Sequence, residues 1–219
     1  MRPAAFLFDL DGTLVDTETA WAKAMVDMIV ARGGCVTLSS LLPLIVGRNW
    51  LDIHAAIHEM FPVLGETSAM EDALELREYY RRHAADPASM RIEGSIAFFR
   101  KAAAIAPCAI VSGSPAADVK AAAELCGISS LVSLILGAGD YPKGKPDPSG
   151  YLCAAKRLGV KPEDCVVIED SSVGVASGVA AGMKVVALDR RGAVPQVFRG
   201  ETWRVGDLSE IDAGKEFAA

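Results

Sequence analysis

The chain has 219 residues, with 22 lysines and arginines against 28 aspartates and glutamates, for a net charge of −6. That length suits one α/β domain with a smaller insert, and the acidic balance argues against nucleic acid or an anionic membrane as the main partner. Apolar residues make up 51% of the chain, enough for a sizeable core, yet no apolar run is long enough to span a bilayer.

Residues 4–8 form an apolar run that reads as a buried strand. It leads straight into Asp9-Leu10-Asp11-Gly12-Thr13. Gly12 and Thr13 break the strand, so Asp9 and Asp11, at i and i+2, lie on one face as close neighbours at its carboxyl end. Like charges that close need a cation between them or a proton on one. From 17 to 88 the patterns are helical only. Residues 18–32 place Trp21, Met25, Met28 and Ile29 at helical spacing, with Gly33-Gly34 as a stop. Residues 50–60 repeat Leu51, Ile53, Ile57 and Met60, and 72–82 form a charged helix that ends before Asp86-Pro87. From Gly94 onward strands and helices alternate. Strands are predicted at 107–111, 132–136, 165–168 and 184–188, with helices at 95–105, 116–125, 149–158 and 172–181.

Continuous apolar strands alternating with helices imply a parallel sheet covered on both faces, joined by right-handed crossovers. The fold class expected is therefore α/β, a Rossmann-like doubly wound parallel sheet. Residues 1–16 and 89–219 would form this core, and 17–88 an inserted all-helical cap domain. The tail after Asp212 reads as loosely ordered. The five cysteines are odd in number, show no C-x-x-C spacing and read as small core residues in a reducing compartment. The first apolar stretch begins almost at Met1 and runs into Asp9, unlike a secretory leader, so a cytoplasmic location is expected.

Open α/β sheets bind ligands beyond the carboxyl ends of their strands. The first strand delivers Asp9 and Asp11 there, and the second Ser112-Gly113-Ser114-Pro115. The third is followed by a loop with Lys145-Pro146-Asp147-Pro148, and the fourth by Glu169-Asp170-Ser171-Ser172. Ser114 and Pro115 match an N-cap followed by the first helical position, and a helix start also suits an anion. The prolines hold Lys145 in a stiff turn, whereas Lys143 lacks that support and reads as surface. Glu169 and Asp170 could cap the next helix, but adjacent carboxylates at a buried strand end are costly unless paired. A hard divalent cation held by Asp9, Asp170 and a backbone carbonyl resolves both acid pairs, and Mg²⁺ fits.

These four segments resemble the four motifs of the haloacid dehalogenase superfamily: D-x-D-G-T, a serine at a strand end, K-P-x-P and E-D-S-x-x-G. The resemblance runs to about Asp189. It is nearest to the branch with a helical cap between the first two motifs, which holds β-phosphoglucomutase and many small-metabolite phosphatases. Aspartate at position 11 departs from the dehalogenase and phosphonatase patterns and points to phosphoryl transfer. The resemblance implies Asp9 as nucleophile and Asp11 as general acid and base. It implies Ser112, Gly113 and Lys145 as phosphate holders, and Mg²⁺ on Asp9, the Asp11 carbonyl, Asp170 and, through water, Glu169.

The expected function is hydrolysis of a small phosphomonoester, a sugar phosphate or similar metabolite, by a monomer or weak homodimer. The alternative is a β-phosphoglucomutase-like isomerase. Mutases of this branch carry a proton-handling His at the position of Trp21, and an indole offers one donor and no acceptor. A dead binding module would need a lost nucleophile or metal ligand, and none is missing. In the cap, Arg48 has two readings, a substrate contact or a solvated loop residue. Trp21 and Trp50 read as core.

Overall fold

A computed structural model of the chain describes residues 2–45, 50–83, 87–190 and 197–217. They divide into two compact units. One is Asp16–Met90; the other joins the N-terminal segment through Val15 to the described chain from Arg91 onward.

The larger unit is built on a six-stranded, wholly parallel sheet. Its strands are β1 (Ala5–Phe8), β2 (Cys108–Val111), β3 (Val132–Leu136), β4 (Cys165–Glu169), β5 (Lys184–Leu188) and β6 (Trp203–Val205). Their order is β3-β2-β1-β4-β5-β6, so the chain's first strand lies in the middle and strand order reverses beside it. Side-chain alternation divides the apolar strands between two faces. Phe6, Phe8, Ile110, Val166 and Ile168 enter one buried cluster, and Leu7, Ala109, Val111, Val167 and Val185 the other. Helix α5 (Glu93–Ala103) supplies Ile96, Phe98 and Phe99 to the first cluster, and α7 (Ser149–Leu158) supplies Tyr151 and Ala154 to the second. Both faces are thus covered, as the continuous apolar runs predict.

The smaller unit holds α1 (Thr17–Ala31), α2 (Leu38–Ile45), α3 (Trp50–Met60) and α4 (Ala69–His83) around Met25, Met28, Ile29, Leu41, Ile53, Ile57 and Leu76. Asp16 caps α1 through the Thr19 N–H, and Gly33, at φ +88°, follows its end. Trp21 stacks on Tyr80 with ring centroids 4.0 Å apart, and the Trp50 indole donates to the Ala69 carbonyl at 2.8 Å. Both tryptophans are partly buried and packed against the helical cluster rather than inside it.

Four expectations are corrected. Helix α2 is absent from the sequence reading because Pro43 sits inside it and polar Thr37, Ser39 and Ser40 crowd its start. Thr37 and Ser40 bond reciprocally, each side chain accepting from the other's backbone N–H, which is a capping-box arrangement. Strand β6 has three residues, two half-buried and Arg204 between them exposed, too few for a periodic signal. Cys35 is exposed and Cys153 only partly buried, while Cys108, Cys126 and Cys165 are core residues.

The tail is also ordered further than expected. A short helix, Ala213–Glu216, delivers Phe217 into the core, 2% exposed, where its ring meets Phe6 edge-on at 5.4 Å and Trp203 at 5.0 Å. Phe217→Ala should therefore cost about 3–5 kcal/mol, read as a lower urea midpoint with unchanged slope; a variant within about 0.5 kcal/mol of wild type would remove Phe217 from the core.

Candidate active site

Register assembles the site. Phe8 pairs with Ile110 on one side and Ile168 on the other, so Asp9, Ser112 and Glu169 emerge near one another at the carboxyl edge. The Asp9 N–H still donates to the Ile168 carbonyl at 3.0 Å. Beyond Asp9 the chain turns. The Leu10 carbonyl accepts from the N–H groups of Thr13, Leu14 and Val15, and Gly12 N–H donates to Val15 O at 2.7 Å. Because β1 ends at Phe8, the alternation argument for Asp9 and Asp11 does not reach Asp11, which sits on this turn. Its Oδ2 accepts from Ser112 Oγ at 3.2 Å and Ser114 Oγ at 2.9 Å. Pro115, not Ser114, therefore occupies the N-cap of α6 (Ala116–Leu125), without a side-chain cap.

Gly12 has φ +84°, and a Cβ there would lie 2.1 Å from Asp170 Oδ2. Glycine is required on both counts, for the left-handed turn and for the approach of Asp170. Thr13 Oγ1 donates to Asp170 Oδ1 at 3.0 Å. Gly113 is the opposite case, since a Cβ there meets nothing within 4 Å.

Lys145 lies among the acids. Its Nζ pairs with Asp9 Oδ1, reaches Glu169 Oε1 at 2.6 Å, and donates to the Val111 carbonyl at 3.3 Å. Glu169 is fully buried and saturated. Oε1 also accepts from the Tyr151 hydroxyl at 2.6 Å, and Oε2 accepts from Ser171 Oγ at 3.1 Å. Ser171 itself caps α8 (Ser172–Ala180), accepting from Gly174 N–H at 3.1 Å. Lys143 is solvent-exposed and 3.9 Å from Asp147.

Burial is the largest influence on the Asp9 carboxyl and raises its pKa. The Lys145 ammonium opposes that rise, and the Glu169 and Asp11 carboxylates reinforce it. For Lys145, burial disfavours the ammonium, but the Asp9 and Glu169 carboxylates outweigh it and hold the pKa well above the usual lysine value. Burial and Glu169 likewise keep the Tyr151 phenol protonated. Oxygens of Asp9, Glu169 and Asp170 all lie within 4.8 Å of one another. An all-oxygen donor set suits a hard divalent cation, and one ammonium does not balance Asp9, Asp11, Glu169 and Asp170. The residues present thus fit a bound divalent ion.

The structure brings Asp9, Asp11, Ser112, Lys145, Glu169 and Asp170 into this one network, with Gly113 in its serine loop. Arg48 lies outside the described residues. Sequence reasoning missed Thr13, Ser114 and Tyr151. The i, i+2 spacing of Ser112 and Ser114 was a usable signal; nothing in the spacing foretold that Tyr151 reaches across to β4.

The family model described as haloacid dehalogenase-like hydrolase matches residues 3–182. The chain belongs to this family. Hexitol phosphatase A of Escherichia coli (strain K12) is 32% identical over 212 residues, 90% of this chain and 88% of that protein. A hydrolase of the same family from Deinococcus radiodurans R1, solved with bound phosphate and sodium, is 27% identical with a TM-score of 0.77, covering 95% of this chain and 93% of that one. A β-phosphoglucomutase from Clostridium difficile shares the fold, with 22% identity, a TM-score of 0.73 and coverage of 96% and 93%. Named phosphatases among the relatives agree with a phosphoric monoester hydrolase.

The glycines test the packing. A Cβ at Gly174 would lie 1.9 Å from the Glu169 carboxylate, so Gly174→Ala should destabilise by about 1–3 kcal/mol through overpacking. Gly113→Ala should leave the urea midpoint unchanged. Equal midpoints for the two variants would contradict the close approach of α8 to Glu169.

Proposed function

We propose that the chain is a Mg²⁺-dependent phosphatase that hydrolyses a small phosphomonoester, a sugar phosphate or similar metabolite, through an aspartyl-phosphate on Asp9. The observation that carries this reading is Asp9 itself: buried at the carboxyl edge of the central strand, fixed through Oδ1 by Lys145, and grouped with Glu169 and Asp170.

In the first step an Asp9 carboxylate oxygen bonds to phosphorus and the ester oxygen leaves, taking a proton from Asp11. In the second, water attacks phosphorus, gives a proton to Asp11 and releases Asp9. The hydroxyl of Ser114 orients Asp11 for both transfers. Ser112, the Gly113 N–H and Lys145 are the donors for the non-bridging oxygens. Gly113 leaves open space beside its backbone, where a tetrahedral anion can approach. Asp9, Asp170 and the Asp11 carbonyl would hold Mg²⁺, which supplies charge neutralisation to the transferring group. Glu169, saturated by Tyr151, Ser171 and Lys145, serves to position Lys145 and at most faces the ion through water. Residues 17–88 act as the cap domain in this reading.

Hexitol phosphatase A supports a sugar-phosphate or polyol-phosphate substrate. Against the isomerase alternative stands Trp21, at the position where mutases carry a proton-handling His, with its ring committed to the stack on Tyr80.

Asp9→Asn should abolish phosphate release from a sugar-phosphate panel while far-UV dichroism and the urea midpoint stay near wild type. Turnover within tenfold of wild type would remove Asp9 from the mechanism. Exhaustive chelation should abolish activity, Mg²⁺ restore it, and Ca²⁺ inhibit, because Ca²⁺ takes more ligands in looser geometry; full activity after chelation would overturn the metal assignment. With β-glucose 1-phosphate, glucose 6-phosphate forming without free phosphate would make the enzyme an isomerase.

A further inference from the structure

We propose that the helical unit carries a second metal site, unrelated to the phosphatase chemistry, formed by His54, His58 and Asp72 and suited to Zn²⁺. His54 and His58 stand at i and i+4 on α3, hence on one face. Asp72 comes from the first turn of α4. His58 Nε2 lies 2.6 Å and His54 Nε2 3.2 Å from Asp72 Oδ2, and the three ligating atoms lie within 4.8 Å of one another. Tetrahedral bonds of about 2.0–2.1 Å place neighbouring ligands about 3.3 Å apart, so an ion fits with sub-ångström adjustment on the Asp72 side.

Three features set this cluster apart from an ordinary ion pair. First, His58 Nδ1 faces the Gly65 carbonyl at 3.1 Å, so it carries a proton. The opposite nitrogen then turns its lone pair toward a carboxylate, unless a second proton or a cation lies between. A ring nitrogen donating to a backbone carbonyl is also the usual second contact of a metal-bound histidine. Second, His54 Nε2 is buried and makes no hydrogen bond among the described residues, although it lies beside Asp72. A buried nitrogen without a partner is costly. Third, Asp72 is fully buried, and its oxygens are divided. Oδ1 accepts from Arg32 Nη2 and Thr67 Oγ1, each at 2.8 Å, and Oδ2 is directed to the histidines. Arg32 is itself shared with Glu75. One guanidinium against two carboxylates leaves a negative charge beside two imidazoles.

Imidazole nitrogens with one carboxylate favour late first-row ions over Mg²⁺. A water would complete the shell, since the histidine side chains are 16% and 18% exposed. The ion would fasten α3 to α4.

The test uses the full chain, stripped with chelator and held in excess Mg²⁺ so that the carboxylates of the larger unit are filled. Zn²⁺ titrated into it should bind at one equivalent, unchanged in Asp9→Asn and at least a hundredfold weaker in His54→Gln and in His58→Gln. X-ray absorption of the wild-type zinc complex, which needs no variant to fold, should show two imidazoles in the shell. An all-oxygen shell, absence of the equivalent, or equal binding by wild type and both histidine variants would overturn the site.

Discussion

The ammonium of Lys145 is the contact on which the rest of the larger unit's functional edge depends. Asp9 and Glu169 come from neighbouring central strands and are both buried. Without a cation between them they would repel at close range in a medium that screens poorly. Lys145 touches both, and its position is fixed from its own loop. Asp147, two residues on, accepts from the Ser149 N–H at 2.9 Å, and its carbonyl takes a hydrogen bond from Ser177 on α8 at 2.8 Å. Tyr151, at the start of α7, then holds the far side of Glu169. The lysine is therefore positioned by two helices as well as by its proline-flanked turn. A buried charge is tolerated only where such support is complete.

The second constraint is space. Carboxylates can share a cation only if backbone lets them approach, and two glycines do this. Gly12 admits Asp170 to the turn after β1, and Gly174 admits Glu169 to the start of α8. Gly178, a turn further on, lets α8 settle against Val167 and Val185. Glycine at four-residue intervals is unfavourable for an isolated helix. Here tertiary contact decides, because the same spacing puts the bare backbone against both the acid and the sheet.

Much of this was legible in the sequence because its signals are local and strong. The four apolar runs ending in polar loops give β1 to β4, and the sheet rule then collects their loops at one edge. What was hidden depends on contacts distant in sequence. Three residues at β6 form a strand only because β5 offers an edge. Helix α2 tolerates Pro43 because Leu41 and Ile45 are buried in the helical unit. Phe217 looks like one apolar residue in a polar tail until Phe6 and Trp203 surround it. Ser114 carried a sound capping signal, but Asp11 competes for its hydroxyl. Asp9 and Asp11 do feel each other's charge, but not as strand neighbours: an i, i+2 argument holds only while the strand lasts, β1 ends at Phe8, and Gly12 shows that the chain is already turning.

The two units meet one electrostatic problem with different chemistry. Each buries more carboxylate than its basic side chains balance. In the larger unit the surplus is spread over oxygen donors, with one lysine as a compact point charge. That leaves a hard environment in which an exchangeable, partly hydrated cation can work alongside a substrate. In the helical unit the surplus sits on Asp72, braced by a planar guanidinium that binds two acids at once, and the remaining neighbours are imidazoles. Imidazole binds borderline ions tightly and holds them in fixed geometry, which suits fastening helices and suits poorly the repeated entry of a phosphate ester. On the two proposals made above, the donor atoms would themselves separate a working cation from a structural one, within a single chain of net negative charge.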